Sequence, residues 1–127
     1  MSATAEEDLT RLAEDVVAAL TRAGLPARHP EWVSEESPGG GAKVWVVATA
    51  DAGRGVYVTW SQHPELEVVV RRAVETLDLT APELPFAAAA LEAMRKALLA
   101  ILGAAGFEVS DAPEISGAQA LVRLPES

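Results

Sequence analysis

Cysteine is absent from this chain of 127 residues. Its absence excludes disulfides, thiolate metal sites and cysteine nucleophiles together. It also fits a reducing cytoplasm, the expected location. Basic residues are scarce, with 10 Lys and Arg against 19 Asp and Glu for a net charge of −9. Nucleic-acid binding draws its affinity from cations that neutralise phosphates, and here the basic residues are scattered, with Arg71 and Arg72 the only adjacent arginines. Nucleic acid is therefore not an expected partner, and an anionic membrane surface would repel the chain for the same reason. Long apolar runs are missing as well. The stretch from Ala97 to Phe107 has 11 uncharged residues, where a spanning helix needs about 20. The acidic N-terminus lacks the basic-then-apolar order of a signal peptide.

What remains is a chain that is 50% hydrophobic, with 25 alanines, enough to build a core at a length that suits one domain over residues 1–127. Arginine outnumbers lysine eight to two, which with the alanine content suggests high-GC bacterial coding.

Punctuation divides the chain into eight elements. Thr4 and Glu7 form a capping-box pattern, and Leu9, Leu12, Val16 and Leu20 recur at helical spacing until Gly24 and Pro26 stop the helix. Three strands are predicted over 28–36, 42–50 and 54–61, separated by the glycine run at 39–41 and the turn at 51–53. Pro64 followed by Glu65 and Glu67 opens a second helix, although Val68, Val69 and Val70 would also suit a strand. A third helix over 85–105 is apolar almost all round, with Glu92, Arg95 and Lys96 as its polar positions. The order of Glu92 and Lys96 predicts an i, i+4 ion pair. Strands over 107–110 and 118–124 close the chain. The expected fold is α+β in two layers, ordered α-β-β-β-α-α-β-β. Helices pack on one face of a five-stranded, mainly antiparallel sheet. A tight loop at 51–54 would pair Trp45 with Trp60 and Val47 with Val58.

The chemistry-bearing motifs are few. Gly39-Gly40-Gly41-Ala42-Lys43 has glycines and a lysine but lacks the Ser or Thr and the following helix of a phosphate loop. No nucleophile elbow or ordered triad exists. Both histidines fall in the triplet His-Pro-Glu. His29 and Glu31 with His63 and Glu65 are candidate ligands for a divalent ion. The competing reading makes each triplet an extended entry into an element, with Glu65 at a helix start. That reading is preferred, so no metal, cofactor or catalytic residue is assigned. Trp32, Trp45 and Trp60 fall in strands, where large aromatics fill cores or interfaces more often than ligand pockets.

The favoured function is protein binding without catalysis, as an adaptor or chaperone-like homodimer or with another protein. The third helix and a sheet apolar on both faces offer more apolar surface than a small chain can bury. Leu99, Trp45 and Trp60 are the candidate interface residues. The alternative is a small-ligand or metal enzyme using the Trp45/Trp60 face or the two triplets. The order of helix, three-strand meander, helix and two further strands resembles the type III secretion chaperone and YbjN-like fold, which implies a small dimeric chaperone or adaptor. The chain departs from that pattern in having two helices before the last strands and none after them. The resemblance assigns no site residues.

Overall fold

A computed structural model describes residues 5–29, 40–49 and 53–125. Helix α1 spans Ala5–Arg22. Three strands follow, β1 (Ala27–Arg28), β2 (Gly41–Val47) and β3 (Gly55–Ser61). Helices α2 (Pro64–Glu75) and α3 (Glu83–Ala104) then precede β4 (Glu108–Asp111), a short 3-10 turn and β5 (Ala120–Arg123). The element order is the expected one. The predicted strand over 28–36 is described only at its first residues, and Trp32 lies outside the described residues.

The sheet has the order β1-β2-β3-β5-β4. It is mixed, because β1 runs parallel to β2 while the other three pairs are antiparallel. Helices α1 and α3 cover one face. Leu9, Leu12, Ala13, Val16 and Leu20 of α1 meet Val44, Val56, Val58, Ala120 and Val122 of the sheet and Leu98 and Leu102 of α3 in one buried cluster. Each fully buried Leu or Val is worth about 1.5–3 kcal/mol relative to exposure, so this cluster dominates stability.

The β2–β3 register differs from the expected one. Trp45 pairs with Tyr57 and Val44 with Val58, a shift of three residues from the predicted Trp45–Trp60 pairing. An odd shift moves every side chain of one strand to the other face. Val44 therefore faces the helices beside Val58 and Trp60. Trp45 lies on the opposite face, stacked on Tyr57 with centroids 5.9 Å apart and planes at 19°. The connection is longer than the tight loop expected, since β2 ends at Val47 and β3 begins at Gly55. Tyr57 closes it by donating its hydroxyl proton to the Gly53 carbonyl at 2.6 Å.

All three helices end in the same hydrogen-bonded motif. The N–H two residues past the C-cap reaches back to the carbonyl three residues before it: Leu25 to Leu20, Asp78 to Ala73 and Phe107 to Leu102, at 2.8–3.1 Å. The residue between must turn left-handed. In α1 and α3 it is glycine, Gly24 at φ 96° and Gly106 at φ 99°. In α2 it is Leu77, at φ 57°.

The expected Glu92–Lys96 pair gives way to one between Glu92 and Arg95. The guanidinium reaches both Glu92 oxygens from Nε, at 3.0 and 3.1 Å. It also reaches Asp111 of β4 at 2.5 Å. A planar fork can hold two carboxylates where an ammonium offers a point charge, so Arg95 ties α3 to the edge strand. That hydrogen bond holds the Glu92 carboxyl below its ordinary range, and the two acids push Arg95 up.

Candidate functional site

Helix α2 is the element that the core does not explain. Leu66, Val70 and Ala73 recur at helical spacing toward α3, yet only Ala73 is buried. Among the elements, α2 packs against α3 alone. The run Val68-Val69-Val70 lies inside the helix, so packing and capping outweigh the strand preference of β-branched residues.

His63 caps the N-terminus of α2. Its Nδ1 accepts from the Glu65 N–H at 3.1 Å, and its carbonyl accepts from the N–H groups of Leu66 and Glu67. Pro64 occupies the first turn and gives up no hydrogen bond there. The second His-Pro-Glu triplet is thus a helix start. His29 is buried beside β1, and Glu31 lies outside the described residues. Parallel pairing puts His29 just past the Arg28–Lys43 pair, while His63 follows Ser61, paired with Gly41. The two histidines therefore stand on the order of 15 Å apart along the sheet, too far to share an ion. Among the described residues, no three His, Asp or Glu side chains converge to hold a metal.

Two glutamine amides fasten α3 beside this start. Gln62 Nε2 donates to the Ala87 carbonyl at 2.7 Å, and Gln119 Nε2 donates to the Leu91 carbonyl, one turn on, at 3.2 Å. Gln119 Oε1 also accepts from the Trp60 N–H at 2.8 Å, extending the ladder beyond the last β3–β5 pair. Between the fastened helix and the end of β3 lies a depression of about 410 Å³. It is lined by Trp60, Gln62, His63, Glu65, Leu66, Phe86 and Ala90. Of the residues singled out in the sequence, Trp60, His63 and Glu65 meet here, while Trp45 is on the far face of the sheet. Leu99 is half-buried against the core cluster, so the exposed apolar surface of α3 lies earlier, at Phe86 and Leu91.

The α2–α3 hairpin, whose Phe86 lines this depression, exposes large apolar side chains along its length. Leu77 is 78% exposed, Leu79 69%, Phe86 62% and Val74 52%, with Val68, Val69 and Leu91 also exposed. Every large hydrophobic side chain exposed among the described residues belongs to the hairpin. The sequence pattern places Leu77 on the apolar face of the second helix with Leu66, Val69, Val70 and Ala73, whereas α2 ends at Glu75 and Leu77 lies exposed beyond it. Leu79 and Phe86 are not singled out by the sequence, because neither belongs to a periodic stripe. Two other hollows are less distinctive. One, between α1 and the β4–β5 end, has a rim of mixed charge from Asp8, Arg11, Asp15, Glu108 and Arg123. The other is lined mostly by alanines of α1 and α3. No family model, curated protein or solved structure matches this chain.

Proposed function

We propose that this domain is a non-catalytic protein-binding module, an adaptor or chaperone-like domain, which docks through its α2–α3 hairpin. Leu77 carries the reading. It holds a left-handed backbone that costs a leucine about 1–2 kcal/mol, where the other two helices use glycine. It is also the most exposed large hydrophobic side chain described. Neither the backbone nor the core is served by a leucine there, whereas an apolar anchor for a partner is. Leu79, Phe86 and Val74 extend the surface beyond scattered exposed hydrophobics, as binding faces do. His63 supports the non-catalytic side of the reading, since its Nδ1 is engaged as a helix cap. The likeness of element order to secretion-chaperone domains points to the same class of function.

Site-specific photocrosslinking tests the proposal. A photoreactive residue at Phe86 or Leu79 should give protein adducts, while the same group at Thr10, exposed on α1, should give few. Equal, sparse labelling at all three positions would overturn the reading.

A further inference from the structure

We infer that the partner at this hairpin is a second copy of the chain, packed with its α2 antiparallel to the first; this rests on the docking reading above. Glu65, Val69 and Arg72 stand at i, i+4 and i+7 and share one stripe of α2, beside the stripe that faces α3. Glu65 and Arg72 are exposed, and among the described residues neither side chain has an ion pair or hydrogen bond. The stripe thus carries an unpaired anion, a valine and an unpaired cation, spanning about 10.5 Å of helix.

Such a stripe is complementary to itself in one direction only. A twofold axis between Val68 and Val69 brings Glu65 of each copy to Arg72 of the other and the valines together at the centre. A parallel arrangement would instead set like charges side by side. The antiparallel contact is isologous and closes at two copies. It also answers the charge problem of a chain at −9, because α2 carries the only two adjacent arginines, Arg71 and Arg72, while in the other basic pair, Arg95-Lys96, Arg95 is already held by Glu92 and Asp111. The same alignment carries Leu77, just past the end of one α2, level with Trp60, just before the start of the other. There the depression lined by Trp60, Leu66, Phe86 and Ala90 opens, roomy enough for a leucine side chain.

Light scattering of the full chain at micromolar concentration, with charge-reversed variants, tests this pairing. Wild type is expected at twice the monomer mass of 13.3 kDa. Glu65→Arg and Arg72→Glu should each raise the dissociation constant by roughly tenfold or more, since each places like charges opposite one another twice. An equimolar mixture of the two variants should form a dimer, because both positions are then cationic in one chain and anionic in the other. Each variant's helical circular dichroism is recorded alongside, and a variant that loses it is replaced by Leu77→Asp, which should also be monomeric. A monomeric wild type, variants that dimerise like wild type, or a mixture that stays monomeric would overturn the proposal. If wild type is monomeric while Phe86 still crosslinks other proteins, the second copy fails and the docking reading stands. If those crosslinks are missing too, both fail.

Discussion

Leu77 and His63 show how much a single residue can disclose. Leu77→Gly should stabilise the folded chain by about 0.5–1 kcal/mol, because the left-handed strain disappears while the unfolded chain gains some entropy. Urea unfolding of a charge-reversed, monomeric background isolates this gain from any loss of association. His63→Ala should cost about 0.5–1 kcal/mol by removing a cap, whereas His63→Asn should cost little, since asparagine caps well; the same unfolding curves measure both. Gly24 and Gly106 were legible as helix stops, because glycine is the ordinary residue at a left-handed turn. Leu77 was not, since nothing in a leucine signals that the backbone beneath it is left-handed. The capping role of His63 was half legible, as Pro64 and Glu65 announce a helix start without saying which atom serves it.

At the scale of elements, α2 is thinly held and α3 is tied down. With Ala73 its one buried residue, α2 should open more readily than α1. Amide exchange in a monomeric variant should therefore be faster over 66–75 than over 9–20. The Arg95 clamp gives an acid-dependent contribution. Glu92 has a lower pKa folded than unfolded, so the unfolded state binds protons more readily. Its contribution is present above the unfolded pKa and is lost as pH falls through the folded one. Stability measured against pH should differ between wild type and Glu92→Gln near neutrality and converge in acid. Helix and strand identities were legible because stops and periodicity agreed. The β2–β3 register was not, because Val44 and Val46 on one face and Trp45 and Val47 on the other are equally apolar. Alternation therefore could not choose between pairings an odd number of residues apart.

The whole molecule divides its apolar residues between two tasks. The cluster of α1, the sheet and α3 makes the fold, and Leu98→Ala there should cost about 2–5 kcal/mol. Helix α2, the turn after it and the first turns of α3 contribute little to that core and present large apolar side chains outward, so Phe86→Ala in a monomeric background should change stability by less than about 0.5 kcal/mol. The sequence made a surplus of apolar surface legible, but it pointed to Leu99 and the sheet face. The surplus lies instead in α2 and the first half of α3, because helical periodicity cannot tell which turns overlie the sheet. The claim that this surplus joins two copies is tested most directly by the denaturation midpoint as a function of protein concentration. Binding between folded copies makes that midpoint rise with concentration. Wild type should show such a rise and Leu77→Asp none; a wild-type midpoint that stays constant across concentrations would mean that folded copies do not join.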